Sequence, residues 1–208
     1  MKRKIILATT ITSIVLALTV FCFGVYASMT QEFSISNTIG FVSSKNIYLS
    51  FMGEVQDCVQ VERGVAPDGY NTMDEYKLDK GFVYEQLFDE ADRGNSDYPS
   101  TFTWTIKEPA QFVSANTPII YRVEIWNYSE VKVSIKLNFQ QNNDKISNSA
   151  SCRVIGENTT GTDEIVLNEY IEGQQPSKAE FILTTRVKFG SISSFTETNN
   201  FNFVSTAV

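Results

Sequence analysis

The sequence predicts an all-β protein, built as an antiparallel β-sandwich of jelly-roll or immunoglobulin-like type. Three observations support this prediction. Apolar and polar residues alternate along most of the chain after residue 28, as expected of strands with one buried and one solvent-facing side. β-Branched and aromatic residues dominate the apolar positions, and they favour strands. Polar, turn-forming segments separate the alternating runs, so we expect seven to nine short strands.

The first 27 residues are typical of a secretory signal peptide. Basic residues occupy positions 2–4, an uncharged and mostly apolar run covers 5–23, and cleavage is expected between Ala27 and Ser28. An uncleaved signal anchor is the alternative, because about 20 apolar residues span a bilayer. Either way, residues 28–208 form one predicted domain outside the cytoplasm, secreted or at the cell surface. The signal peptidase is then a partner during export, and an uncleaved anchor is the expected membrane contact.

The charge and composition of the mature chain exclude several functional classes. Loss of the three basic residues at 2–4 leaves 14 basic and 24 acidic residues, so the net charge changes from −7 to −10. An acidic surface disfavours nucleic acid and anionic membranes as partners. The chain has no histidine, which excludes Ser–His–Asp triads and HExxH zinc sites. Gly-rich phosphate loops are missing too, so we expect no enzyme, no cofactor, no metal site and no catalytic residue. A glycoside-acting enzyme, which needs only two converging carboxylates, is the remaining alternative.

Individual strands are predicted from apolar residues that share one parity. The clearest runs are Phe33/Ile35/Ile39/Phe41, Ile47/Leu49/Phe51, Phe102/Trp104/Ile106, Tyr121/Val123/Ile125, Val131/Val133/Ile135/Leu137/Phe139 and Phe181/Leu183/Val187/Phe189. Two of these runs, Ile119–Trp126 and Val131–Phe139, are joined by four residues, which predicts an antiparallel hairpin. Polar clusters, among them Thr196–Asn200, are predicted as turns.

An acidic, turn-rich insertion departs from this alternation between Val61 and Ser100. Within it, Phe82–Ala91 is predicted either as a short helix or as a strand. The loop Asp89–Asp97 carries several carboxylates, which are oxygen ligands of the kind that calcium takes. Its spacing is not that of an EF-hand and Arg93 interrupts it, so we interpret it as a solvated loop.

Cysteines and aromatic residues give the remaining candidate sites. Cys58 and Cys152 stay in the mature chain, where an oxidising compartment allows a disulfide; two buried thiols are the alternative. Trp126 and Tyr128 lie off the apolar parity or in the turn, so they are candidate ligand-facing aromatics. Aromatics that merely cover a sheet edge would show the same pattern.

The chain resembles the TasA and camelysin-like secreted proteins of Gram-positive bacteria, whose signal segments are of the type cut by SipW-like signal peptidases. The resemblance is one of layout over most of the chain. It rests on the basic start, on the apolar run that ends in Gly24–Ala27, on the early strand Phe33–Ile39, on the turn Trp126–Ser129 and on the late strand Phe181–Thr185.

This resemblance implies a subunit of extracellular biofilm-matrix fibres. In such fibres an N-terminal strand enters the neighbouring subunit, where its backbone pairs and its alternate side chains fill slots. Here Met29–Phe41 is the candidate assembly strand, with Phe33, Ile35, Ile39 and Phe41 on one face; packing within its own domain is the alternative. Camelysin-like proteins have been labelled metallopeptidases, an activity that a chain without histidine does not support. A surface adhesin or carbohydrate-binding module is the second functional hypothesis.

Overall fold

The computed structural model describes residues 33–43, 47–58, 64–95, 99–107, 110–112, 118–188 and 195–208. The predicted signal segment, its cleavage site at Ala27 and Ser28, and residues 29–32 of the candidate assembly strand lie outside the described residues. Within the described part, no helix has the length and apolar character needed to cross a membrane.

The described chain forms twelve strands, one α-helix and one 3-10 turn. The strands are β1 Phe33–Ser43, β2 Leu49–Asp57, β3 Val83–Gln86, β4 Thr101–Thr105, β5 Ala110–Phe112, β6 Ile119–Asn127, β7 Val133–Phe139, β8 Ile146–Val154, β9 Thr160–Gly161, β10 Glu164–Leu167, β11 Ser177–Val187 and β12 Phe195–Ala207. Helix α1 is Met73–Lys80, and the 3-10 turn is Glu90–Asp92.

The strands form two six-stranded sheets that pack face to face. Sheet A has the order β10-β7-β12-β1-β4, with β5 also paired to β1, and sheet B has the order β3-β2-β6-β11-β8-β9. Apolar residues of one parity lie buried between the sheets, and they come from strands β1, β2, β4, β6, β7, β8, β10, β11 and β12. This arrangement confirms the predicted all-β sandwich.

Strand β1 lies inside sheet A, with strands on both sides. It pairs in parallel with β12 along its whole length, from Phe33 opposite Phe195 to Ser43 opposite Ser205. On its other side it pairs antiparallel with β4 and with β5. The first described strand therefore fills a slot beside the last one.

The predicted hairpin between β6 and β7 is wrong. The two strands belong to different sheets, because β6 pairs with β2 and β11 whereas β7 pairs with β10 and β12. Asn127, which is fully buried, organises the crossing between the sheets. Its side-chain amide donates to the carbonyls of Val131 and Asn168, and its Oδ1 accepts from the Ser129 amide. A short polar connection in a sandwich thus forms an arch between layers instead of a tight turn within one sheet.

The helix in the insertion lies earlier than the segment considered for it. Phe82–Ala91 contains strand β3 and part of the 3-10 turn, so its interpretation as a strand is the correct one. Helix α1 precedes it and is set by its caps: Thr72 accepts from the Glu75 amide, and Gly81 ends the helix with a φ of 73°. Tyr76 is its buried residue. The helix has no apolar stripe, which is why periodicity misses it.

Trp104 of β4 connects the insertion to the sandwich. Its indole N–H donates to the Gly81 carbonyl at 2.6 Å, directly after helix α1. Its ring lies so close to Gly53 of β2 that a Cβ atom at that position would overlap it. Glycine at position 53 therefore lets the indole sit flat against sheet B.

A buried polar cluster joins the two sheets at one end of the core. Asn148 of β8 and Asn199 of β12 exchange amide hydrogen bonds of 2.9 and 3.1 Å. Thr185 of β11 donates to Asn148 Oδ1 and accepts from Asn199. The cluster explains why the turn predicted over Thr196–Asn200 is wrong: these residues belong to β12, and their polarity serves an inter-sheet contact.

We predict that Asn199→Ala lowers the free energy of unfolding by about 2–3 kcal/mol, because it removes the two buried amide hydrogen bonds with Asn148 and the one to Thr185. Urea denaturation followed by the fluorescence of buried Trp104 measures this change. The neighbouring Asn200→Ala is the control: residue 200 is exposed, and its loss is expected to change stability by no more than about 0.5 kcal/mol. Equal effects of the two substitutions would contradict the structural role of the cluster.

Candidate functional site

The candidate assembly strand is a core element of its own domain in this structure. Ile35, Ile39 and Phe41 are buried between the sheets, as their shared parity predicts. Phe33 pairs through its backbone with Phe195 and Phe112, while its side chain lies outside the described part. The alternative that the strand packs within its own domain therefore describes the structure.

Phe41 anchors the C-terminal half of β1 in an aromatic cluster. Its ring stacks on Phe102 of β4 with the ring centres 4.7 Å apart, and it meets Phe51 of sheet B at 6.0 Å. Phe203 of β12 lies 6.5 Å away. Both neighbouring strands and the opposite sheet thus supply the walls of the slot that this side chain fills.

Gly40 lies on the outer side of β1, opposite Asn202 of β12. A Cβ atom at position 40 would lie 2.8 Å from Asn202 Oδ1. Because Asn202 is exposed, its side chain can rotate away, so the register of β1 depends on the buried side chains of Ile35, Ile39 and Phe41.

A network of ion pairs covers the outer face of sheet B. Glu180 of β11 is 5 % exposed and lies between two arginines. Arg122 of β6 reaches its Oε2 at 2.8 Å, and Arg153 of β8 reaches its Oε1 with Nε at 2.7 Å. Glu124 extends the network, since its carboxylate contacts both Arg122 at 2.6 Å and Lys178 at 2.7 Å.

A groove of about 630 Å³ lies beside this network. It is lined mainly by polar residues, the Glu180 carboxylate among them: Gln56, Arg122, Ser151, Cys152, Arg153, Thr160, Gly161, Glu180 and Ile182. Gln56 sits at a bulge in β2, where Val55 pairs with Tyr121 and Asp57 pairs with Ile120. Bulges redirect side chains and occur often beside binding sites.

The two candidate ligand-facing aromatics lie in different surroundings. Trp126 stands on the outer face of sheet B, where the Lys178 ammonium lies 4.8 Å from the ring centre. Tyr128 instead packs against Phe88 at 5.1 Å and Tyr170 at 5.6 Å. Tyr128 therefore helps to hold the insertion on the sandwich, and Trp126 keeps the more open position.

Arg93 is the centre of this attachment. Its guanidinium lies 5.6–5.8 Å from the rings of Tyr48, Phe88 and Tyr170 and donates to the Tyr128 carbonyl. It also pairs with Glu90, whose carboxylate holds the pKa of Arg93 above its ordinary value through a hydrogen bond. Cation–π contacts and an ion pair thus fix the end of the insertion to the arch after β6.

In the described part of the acidic loop, residues 89–95, the carboxylates are used within the loop, and Asp97 lies outside the described residues. Asp89 accepts from the Ala91 amide, and Asp92 accepts from the Asp89 amide, so the two cap the 3-10 turn. Glu90 is paired with Arg93. Among the described residues, no group of three or more acidic, cysteine or histidine side chains is arranged to hold a metal ion.

The candidate disulfide between Cys58 and Cys152 does not form in the structure. Both thiols are buried and unbridged. Cys58 follows β2 and Cys152 lies in β8, so β6 and β11 separate them within sheet B. Three inter-strand steps of about 4.8 Å place the two cysteines roughly 14 Å apart, about twice the reach of a disulfide. The alternative of two buried thiols is the correct one.

Neither a protein-family model nor a curated protein matches the chain.

We predict that neither Cys58 nor Cys152 reacts with a thiol reagent in the folded mature chain, because both side chains are buried. Burial raises the pKa of the Cys152 thiol to about 11, so it remains protonated near neutral pH. A colorimetric thiol assay with and without denaturant measures this. We expect two thiols to react with the reagent, and only after the chain is unfolded. A disulfide-bridged chain on a non-reducing gel would contradict this prediction.

A pH-dependent effect on stability follows from the same thiol. The folded chain holds the Cys152 proton more tightly than the unfolded chain, whose thiol pKa is about 8.5. This contribution to stability is complete below that pH and is lost as pH rises toward about 11. Cys152→Val should therefore flatten the alkaline fall in the free energy of unfolding between these limits. An unchanged slope in urea titrations across this range would refute it.

Proposed function

We propose that the protein is a secreted structural subunit of the TasA-like kind, which assembles into extracellular matrix fibres by donating β1 to a neighbouring molecule. The observation that carries the proposal is the position of β1. It is the first strand of the described chain, yet it fills an interior slot of sheet A between β12 and the β4/β5 side. Export and removal of the leader would leave this strand next to the new N-terminus.

Donation of β1 to a second molecule would use the same contacts that β1 makes within its own chain. A β1 strand from a second copy would pair with β12 and β4 in the same register, and its Ile35, Ile39 and Phe41 would fill the same core positions. Strand addition of this type gains affinity from backbone hydrogen bonds and specificity from alternate side chains. Exchange of an identical element between copies is a low-cost route to association.

Exchange of β1 leads naturally to an open chain of subunits. Each subunit would give its strand to one neighbour and receive a strand from another, which is a head-to-tail contact. Such contacts build filaments whenever the rotation between subunits does not close a ring.

The edges of the sandwich favour exchange over simple stacking of sheets. The outer strands of sheet B are β3 with four residues and β9 with two. Those of sheet A are β10 with four residues and, at the other edge, β4 with five and β5 with three. Short edge strands offer few unpaired backbone groups to another molecule. The interior slot of β1 offers up to eleven residue pairs along β12, so it is the stronger site for strand pairing.

We predict that a disulfide between β1 and its own β4 blocks fibre formation by residues 28–208. Val42 and Thr101 are paired across the two strands and both are exposed, so Val42→Cys with Thr101→Cys should bridge without disturbing the core. Negative-stain electron microscopy is expected to show monomers when the bridge is oxidised and fibres after reduction.

The matched control places the same bridge where β1 is not involved. Ser149 of β8 and Thr184 of β11 are also paired, so Ser149→Cys with Thr184→Cys should leave fibre formation intact. Fibres from the oxidised β1–β4 variant would refute strand donation. A parent chain that stays monomeric at every concentration and pH tested would refute the fibre function itself.

A further inference from the structure

We propose that the groove on the outer face of sheet B binds an acidic saccharide, a sugar chain that carries carboxylate groups. This site lies on the sheet opposite to β1 and does not depend on fibre assembly. It would make the protein a carbohydrate-binding module as well as a structural subunit.

Two guanidinium groups are held in fixed positions beside the groove. Glu180 receives Arg122 on one carboxylate oxygen and Arg153 on the other, so both groups are held in defined orientations. Their side chains nevertheless remain 38 % and 59 % exposed, respectively. A guanidinium has five N–H donors, and the described contacts of Arg153 use only those on Nε and Nη2. Donors therefore remain for a ligand carboxylate.

The second argument is charge. The described network contains three cations, Arg122, Arg153 and Lys178, and two carboxylates, Glu124 and Glu180. It thus has one uncompensated positive charge, on a protein whose net charge is −7. A carboxylate in the groove would complete the network, and charge-assisted hydrogen bonds to arginine are among the strongest that proteins form.

The third argument is the neutral lining of the groove. The Ser151 and Thr160 hydroxyls and the Gln56 amide face it together with the aliphatic side chain of Ile182. Hydroxyl and amide groups exchange hydrogen bonds with sugar hydroxyls, and an aliphatic surface suits the C–H face of a sugar ring. The volume of about 630 Å³ is typical of sites for small ligands.

Sheet topology argues against a peptide in this groove. Strand β11 is paired on both sides, by β6 and β8, and β8 is paired by β11 and partly by β9. The floor therefore offers no run of free backbone groups for strand addition. It also has no deep apolar pocket for an anchoring side chain, which peptide sites use. Side-chain hydrogen bonds and two guanidinium groups suit an acidic saccharide better.

The test uses the oxidised β1–β4 bridged monomer, so that its result is independent of assembly. Isothermal titration compares an oligogalacturonate, its neutral methyl ester and an oligoglutamate of similar charge. We expect binding of the oligogalacturonate alone, which weakens as salt is added. Arg153→Gln should reduce the affinity for oligogalacturonate about tenfold or more. Arg153→Lys should recover part of this affinity, because lysine keeps the positive charge but lacks the paired N–H donors of the guanidinium group.

Lys136→Gln is the matched control, because Lys136 is an exposed cation of β7 in sheet A. It removes the same charge away from the groove and should leave the affinity unchanged. Loss of affinity equal to that of Arg153→Gln would show a diffuse charge effect and overturn the site. No binding of oligogalacturonate at millimolar concentration would also overturn it, as would equal binding of the oligoglutamate.

Discussion

The pairing of β1 with β12 is the interaction on which the rest of the structure depends. It joins the first and last described strands in parallel over eleven residue pairs, inside a sandwich whose other pairs are antiparallel. Without β1, strands β4 and β5 lose their described partner and sheet A is divided. Burial of Ile35, Ile39 and Phe41 adds about 1.5–3 kcal/mol for each side chain. The slot therefore requires a strand, either the chain's own or that of a second copy.

Much of the fold could be predicted from local alternation, but the connections between strands could not. Parity predicts the buried faces of β1, β4, β6, β7 and β11, although Val131, predicted as part of the β7 run, precedes that strand and is exposed. The arch at Asn127 was mistaken for a hairpin turn, because a short polar link looks the same whether the next strand stays in its sheet or crosses to the other. Thr196–Asn200 looked like a turn because Asn199 is polar, although it is buried against Asn148 and Thr185. Such pairing is non-local and leaves no periodic signal.

For the candidate sites, too, the sequence predicts local strands but not the pairing between strands. The strand with Ile35, Ile39 and Phe41 was visible in the sequence, but its two-sided pairing in sheet A was not. The groove is not predictable from the sequence, because Arg122, Arg153 and Glu180 are far apart in the chain and meet only through the register of β6, β11 and β8. A useful signal was nevertheless present: charged residues at the solvent-facing positions of several neighbouring strands invite a cross-strand network. Whether Cys58 and Cys152 can form a disulfide likewise depends on strand order rather than on their spacing in the sequence.

The central claim is that β1 is a separable strand, which closes its own sheet in the monomer and is able to leave it. Native-state amide hydrogen exchange at low denaturant tests this claim most directly. The account predicts that the amides of β1, together with those of β4 and β5, exchange through a partial opening whose free energy is below that of global unfolding. Amides of β6 and β11 should exchange only with global unfolding. If β1 amides also exchange only through global unfolding, β1 is not separable and the account is contradicted.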